Sequence, residues 1–402
     1  MRWKWKGYLP YQFMVVIFLL LYGWQESVDE SFVNLEMCPA CYGQSLCGAM
    51  LKKQNSDVDN FLLRGYSQWK IMKFFNIKNV YFASFHEKLV VMKKLAHDSE
   101  LQEFDEVLCK ASRHSLNCNV SLALKTLLSE AGDDILQVIS RHPELFEKSD
   151  ATKCAHNRTI LELFKKYSVI DYGPYHRHHF LTMLAVNMEP LMMMTYHSKW
   201  FPAIHGTCGR IIVEEYVGPT LTHLAGEPWH IRADYARQLL EMAGELSDGE
   251  FRLYLTDVSM DNFAVDEQGR VKIIDAENLV IVDSLQDNLD SSEHVNDGFG
   301  CKDCLSFSYE DLCSHRSSDH NFFAVCKGML SSTSFSEDIP EGLLHSPPDW
   351  VMLEHTSIFN LIEECAAHPL DPYNYSKPKR REAAAALHSL LLAVTSSNQL
   401  RI

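Results

Sequence analysis

Apolar and polar positions alternate with period two in "NVYFASF" (79–85) and "KLVVMKKL" (88–95), which predicts two strands paired across His86 and Glu87. The preceding "QWKIMKFFNIK" shares their apolar and aromatic bias and is read with them as strand. The period then lengthens. In "HDSELQEFDEVLCKAS", Leu101, Phe104, Val107 and Leu108 stand at helical spacing, and helical patterning continues over most of 122–168. "LMMMTYH" (191–197) and "RIIVEEYVG" (210–218) are short apolar runs and are read as strands, with Met192, Met193 and Met194 as strand core. A helix is predicted over 232–249, with Ala236, Leu239, Leu240, Ala243 and Leu246 as its stripe and Gly249 as its stop. The acidic stretch 283–300 reads as a mobile loop, "DHNFFAVCKGML" (319–330) as a buried helix, and "REAAAALHSLLLAVTSS" as a closing helix. The sum is an α+β chain, sheet-rich in its N-terminal part and helical in its C-terminal part.

Between the helix at 232–249 and the acidic stretch lies "LYLTDVSMDNFAVDEQGRVKIIDAEN" (253–278). Two short apolar runs flank the turn "DEQGR", and Asp257, Asn262 and Asp275 stand at their rims. An Asp, an Asn five residues later and an Asp thirteen residues beyond that put two carboxylates and an amide on the rims of one small hairpin.

Composition sets the compartment more than the fold. The 402 residues are 46% hydrophobic and 22% charged, a globular balance, and a net charge of -16 excludes a dedicated nucleic-acid binder. Arg2, Lys4 and Lys6 precede an uncharged apolar run from Phe13 to Trp24, so residues 1–27 are read as a signal peptide or a retained signal anchor. Contact with a membrane is expected only through that segment, if it is retained. Twelve cysteines, an even number, and acceptor sequons at Asn119, Asn157 and Asn374 agree with a glycosylated, disulfide-bonded protein of the secretory lumen (Golgi or ER), or one that is secreted. Cys38, Cys41 and Cys47, in "CPACYGQSLC", carry zinc-site spacing, but a lumenal address favours disulfides. "YHRHH" (175–179) is read as solvated histidines at a helix start, and "KPKRR" (377–381) as a solvated basic patch.

The Asp257–Asn262 spacing, the preceding helix, the hairpin and Asp275 together resemble the catalytic loop and metal-binding Asp of protein kinases. The resemblance implies a bilobed protein-kinase-like fold using ATP and magnesium or manganese. Asp257 is then the base toward the acceptor hydroxyl, and Asn262 and Asp275 are the metal ligands. Lys93, in "VVMKKL", matches the third-strand lysine on the nucleotide phosphates; Glu100, Glu103 and Glu106 compete as its carboxylate partner, and Glu100 is the one the resemblance favours. Glu215, Tyr216 and Val217 match the hinge whose backbone meets the adenine. Asp319 matches the buried aspartate that braces the catalytic loop.

More closely, "CPACYGQSLC", "VVMKKL", "GTCGR", "DVSMDNFAV", "IIDAEN", "DHNFFAVC" and "GLLHSPP" resemble the divergent protein kinase domain family, in particular its second subgroup (the deleted-in-autism group). The implied organisation is a cysteine-containing extension over 28–66, an N-lobe with a helical insertion over 67–217 and a C-lobe over 218–402. The implied partners are a nucleotide and a lumenal or extracellular protein acceptor or receptor. The chain departs from the kinase pattern in four places, one of them the shortened, cysteine-rich segment 278–318, which carries no recognisable substrate-docking motif. "NVYFASF" carries no glycine, "YLT" stands before Asp257, and Ala276 and Glu277 follow Asp275. These departures give a second reading, a catalytically weak pseudokinase acting as a secreted ligand or scaffold.

Overall fold

The computed structural model describes residues 28–51, 61–64, 67, 79–113, 115, 118–132, 134–147, 149–154, 157–171, 173–196, 198–296, 305–334, 341–367 and 379–398. The signal segment 1–27, the strand expected over 68–78, Cys301, Cys304 and Asn374 lie outside them. Among the described residues no helix is long and apolar enough to cross a membrane. The chain forms two compact units, one from residues up to 130 together with 204–216, the other from 131–203 together with 217–402. Much of the helical insertion assigned above to the N-lobe therefore belongs to the second unit.

The first unit is built on one sheet. Its strands are β1 (Leu62–Leu63), β2 (Val80–Phe85), β3 (Lys88–Lys93), β4 (Ile204–Cys208) and β5 (Ile211–Glu215), in the order β1-β2-β3-β5-β4, with every neighbouring pair antiparallel. His86 and Glu87 both take positive φ (48° and 63°), the left-handed two-residue connection whose twist matches that of its flanking strands, so Phe85 pairs with Lys88 and Val80 with Lys93. Alternation then sends Tyr81, Ala83, Val90 and Met92 into a core that also takes Phe32, Ile211 and Val213. Each large apolar side chain there contributes about 1.5–3 kcal/mol by leaving water.

The N-terminal segment covers the outer edge of β4. Leu46 donates its amide to Thr207, Gly43 bridges Gly209, and Cys47 is bonded to Cys208. Cys38 is bonded to Cys41, so all three cysteines of "CPACYGQSLC" are in disulfides and the zinc alternative falls. α1 (Asp98–Ala111) buries Leu101, Phe104 and Leu108 as its spacing required, and α2 (Val120–Ala131) follows, with Cys109 bonded to Cys118 between them.

The second unit is mainly helical: α3 (Ile135–Arg141), α4 (Asn157–Ile170), α5 (His176–Val186), α6 (Glu189–Thr195) and α7 (Trp229–Leu246), then α8 (Tyr309–Ser314), α9 (His320–Val325), α10 (Asp349–Glu354), α11 (Ser357–Ala366) and α12 (Arg380–Asn398). Three two-stranded ladders lie among them. β6 (Phe251–Leu255) pairs with β9 (Leu279–Asp283) and β7 (Phe263–Val265) with β8 (Val271–Ile273), both antiparallel, while β10 (Asp290–His294) runs parallel to β11 (His315–Ser318). Cys154–Cys313 and Cys326–Cys365 cross-link this unit.

Four expectations are corrected here. "LMMMT" is helical, not strand: Pro190 starts α6, and Leu191, Met192 and Met193 are buried on every side, which erases the periodicity that separates helix from strand. Part of the acidic stretch is ordered as β10. His178 and His179 are buried, not solvated; His179 Nδ1 donates to Asp171 at 2.8 Å, and that bond, ahead of opposing burial, holds the Asp171 carboxyl down at about 2. Arg380 and Arg381 are likewise no solvated patch. The Arg380 guanidinium is fully buried on Asp319 at 2.7 Å, and Arg381 pairs with Glu293.

Candidate functional site

Two backbone pins bring Asp257, Asn262 and Asp275 together. Where the β6–β9 ladder ends, Thr256 donates its amide at 3.2 Å and its hydroxyl at 2.9 Å to the Asn278 carbonyl. Where the β7–β8 ladder begins, Ile274 donates to the Asn262 carbonyl at 2.9 Å. Between these pins run residues 257–261 on one side and Asp275, Ala276 and Glu277 on the other. The three polar residues of the sequence motif thus sit at one junction of two short ladders.

Within the junction Asp257 is exposed, Asp275 is half-buried and Asn262 is 3% exposed. Asn262 Nδ2 makes a long bond (3.4 Å) to the Asp257 carbonyl, and Asp275 Oδ1 accepts from the Glu277 amide at 3.4 Å. Among the described residues neither bond occupies Asn262 Oδ1 or Asp275 Oδ2. The donor set is therefore oxygen only, a carboxylate with an amide carbonyl, which fits a hard divalent cation such as magnesium or manganese.

The surroundings hold this geometry from several sides. Pro219 and Leu221 hydrogen-bond β7, with Thr220 bridging Ala264, so residues 219–221 run alongside the hairpin. Gly218 makes that approach possible: its φ is +151°, and a Cβ there would lie 2.0 Å from the Val265 carbonyl oxygen. α7 grips the hairpin tip through Gln238, which donates to the Gly269 carbonyl and accepts from the Val271 amide. In the turn, burial works against the Asp266 charge, but bonds from the Arg270 amide and guanidinium and the Gln268 amide outweigh it and lower its pKa.

α6 supplies a contact that spacing did not reveal. The buried Glu189 carboxylate accepts from the Ala276 amide at 3.1 Å, and Asn187 Nδ2 donates to Glu277 at 2.9 Å. Both residues following Asp275 are thereby fixed. A lone carboxylate in the otherwise apolar "MEPLMMM" (188–194) is the available signal, because such a group is buried only with a partner.

The brace behind the loop also differs from expectation. Asp319 accepts from the Asn296 amide and pairs with Arg380, so it does not itself hold residues 256–262. Its two successors act on the strand that leads into them. His320 Nε2 lies 2.7 Å from the Leu255 carbonyl, and Asn321 accepts from the Leu255 amide while donating to Leu253 and Ser247. Complete burial drives the His320 pKa down to about 4, so the imidazole is neutral, with Nε2–H donating to Leu255 and Nδ1 accepting from Asn296. Burial also pushes the Asp319 carboxyl up, against the opposing pull of Arg380.

In the first unit Lys93 is nearly buried and paired with Glu214 on the adjacent strand at 3.0 Å. Glu100, the partner expected for Lys93, is the third residue of α1, and its carboxylate instead accepts from the His97 amide at 2.6 Å in a capping box. Seven residues from Lys93, Glu100 falls in the first turn, where an acidic side chain serves the helix end. Glu215 closes β5 opposite Val90, and Val217, 6% exposed, opens the later segment of the second unit. Asn119 and Asn157 are both exposed.

Residues 181–368 match a family model described as the protein-kinase domain of FAM69. Divergent protein kinase domain 2A of Homo sapiens is 33% identical over 410 residues, covering 94% of this chain and 92% of that protein. The chain belongs to the divergent protein kinase domain family. The 2A protein of Xenopus tropicalis is 34% identical over 370 residues (85% and 84%), whereas the 2B protein of Homo sapiens is 24% identical over 326 (75% and 73%). Family membership and the observed elements agree on a kinase-like α+β domain, sheet-rich toward the N-terminus and helical toward the C-terminus.

Proposed function

We propose that this divergent protein kinase works in the secretory pathway, transferring phosphate from ATP, with magnesium or manganese, to a lumenal or extracellular protein acceptor. The observation that carries the reading is the pair of backbone pins, 256–278 and 262–274, which confine Asp257, Asn262 and Asp275 to one junction. In this reading Asn262 and Asp275 hold the cation, which neutralises phosphate charge. Exposed Asp257 orients the acceptor hydroxyl and takes its proton, and Lys93 serves the phosphates. Glu215 and Val217 offer backbone groups to the adenine. The lumenal address is supported by the disulfides of both units and by the exposed Asn119 and Asn157 in their sequons.

A second reading, a weakly catalytic pseudokinase acting as a secreted ligand or scaffold, is favoured by Glu277. Asn187 holds its exposed carboxylate two residues from Asp275, where negative charge opposes a nucleotide phosphate. Thermal-shift measurements with ATP and magnesium or manganese, on wild type, Asp275→Ala and Lys93→Ala, separate the two. Metal-dependent stabilisation lost in both variants supports the kinase. No shift at millimolar nucleotide overturns it and leaves the binding-module reading.

A further inference from the structure

Among the described disulfides, Cys38–Cys41 closes the shortest loop and matters least for holding its segment in place. A disulfide constrains the unfolded chain through the length of loop that it closes. This one closes a sequence separation of 3, against 161 for Cys47–Cys208 and 159 for Cys154–Cys313. The surrounding segment is tethered without it. Cys47–Cys208 anchors one end, and backbone bonds join Tyr42 to Gly209, Gly209 to Gly43 and Arg210 to Val33. Opening the small ring would leave these in place.

The ring is also asymmetric and connected. Cys38 is half-buried, whereas Cys41 is wholly buried, so an incoming thiol meets Cys38 first. Inside the ring the Ala40 carbonyl accepts from Arg210 Nε at 3.2 Å, and the Arg210 guanidinium is paired with Asp105 of α1. Directly after the ring the buried Tyr42 donates its hydroxyl to the Leu95 carbonyl at 2.7 Å, two residues past Lys93. The second attachment reaches the connection from β3 into α1, and the first reaches the body of α1 that follows it.

We propose that Cys38–Cys41 is a reversible thiol–disulfide exchange site for a thiol co-reactant, and that its redox state sets how firmly the connection from β3 into α1 is held. A thiolate of the co-reactant attacks Cys38 Sγ. A sulfur–sulfur bond forms there, the bond to Cys41 breaks, and the electron pair leaves on the Cys41 sulfur, which takes up a proton. A second thiol then attacks the co-reactant's sulfur and releases Cys38 as a thiol. Two electrons and two protons pass to the protein, and the co-reactant leaves as its own disulfide. No nucleotide enters the step, so it stands independently of the phosphotransfer reading.

The test equilibrates the full chain in glutathione buffers of graded reduced-to-oxidised ratio, traps free thiols by alkylation and maps them by mass spectrometry. Amide hydrogen exchange over residues 94–101 is followed in the same samples. The expected result is alkylation of Cys38 and Cys41 at ratios at least tenfold less reducing than those that open Cys47–Cys208, Cys154–Cys313 or Cys326–Cys365, with faster exchange over 94–101 once the ring is open. Opening of Cys38–Cys41 together with or after the others overturns the proposal, and so does unchanged exchange over 94–101. The Cys41→Ser variant, lacking the internal thiol that would attack Cys38 Sγ and expel glutathione, is expected to keep glutathione on Cys38 in the oxidised buffers. Absence of that adduct in folded Cys41→Ser also counts against the site, and the wild-type titration decides if the variant does not fold.

Discussion

Replacing His320 by Gln removes a titrating group from behind the loop that carries Asp257 while keeping an N–H donor. In the folded chain the imidazole is fully buried among Tyr254, Phe307, His294 and Arg380, bonded to Leu255 and Asn296, and its pKa is lowered from 6.5 to about 4. Unfolding restores the ordinary value, so between these limits the unfolded chain binds a proton that the folded chain refuses. Stability from this group is therefore fully present above about pH 6.5 and lost progressively as pH falls toward 4. At about 1.36 kcal/mol per pKa unit the whole effect is about 3 kcal/mol, of which about 2 kcal/mol falls between pH 7 and pH 5. His320→Gln is expected to lower stability at both pH values by perturbing the two bonds. What decides is the difference between pH 7 and pH 5, measured by urea unfolding of both proteins. Wild type should lose about 2 kcal/mol more than the variant over that interval. Equal losses would mean that His320 is not held neutral, and the account of its burial and tautomer would be wrong.

Asp319→Ala leaves the buried Arg380 charge uncompensated and should cost about 3–5 kcal/mol, whereas Asp319→Leu combined with Arg380→Met should recover most of it; a single-variant loss below about 1 kcal/mol in chemical denaturation would refute the pairing. Gly218→Ala forces a Cβ against the Val265 carbonyl and should destabilise the chain by more than about 2 kcal/mol, with amide exchange rising first in Leu221 and Val265; wild-type exchange there would contradict the geometry. Glu189→Ala should free the Ala276 amide at a cost of about 1–3 kcal/mol and weaken any metal–nucleotide thermal shift, an outcome read by repeating the titration on the variant. Asn119→Gln and Asn157→Gln, expressed in secretory cells, should each remove one glycan step on a gel, and no mobility change in either would argue against a lumenal route.

The parts of the fold legible in the sequence are those with a clear apolar period or with polar residues at fixed places. β2, β3 and the stripe of α7 announce themselves by alternation or helical spacing, and the 253–278 hairpin by polar residues at fixed places between apolar runs. α6 was misread because burial on all sides leaves no polar phase to count. The histidines of α5 and the arginines opening α12 looked like surface because polarity is the only local clue to exposure. Their partners are decided by topology: Asp319 lies 61 residues from Arg380, and Glu293 lies 88 from Arg381. Glu100 erred in the opposite direction, since a kinase-like expectation outweighed a local rule, the capping box, that "HDSE" spelled out. At the site the three motif residues were legible in place and spacing, whereas Glu189, Asn187, His320 and Asn321 emerge only when distant segments are packed.

The sheet of the first unit has a consequence for biosynthesis. Its interior strand β5 and edge strand β4 come from residues 204–215, after more than seventy residues that belong to the second unit. At about 5–20 residues per second, the 161 positions separating Cys47 from Cys208 take roughly 8–32 s to translate. Throughout that time Cys47 has no native partner, while Cys38 and Cys41 are already made and Cys109, Cys118 and Cys154 are added before Cys208. The amino-terminal unit therefore cannot mature first on the ribosome. Its assembly waits on a late segment, and an isomerase able to undo premature pairings of Cys47 becomes a requirement for yield.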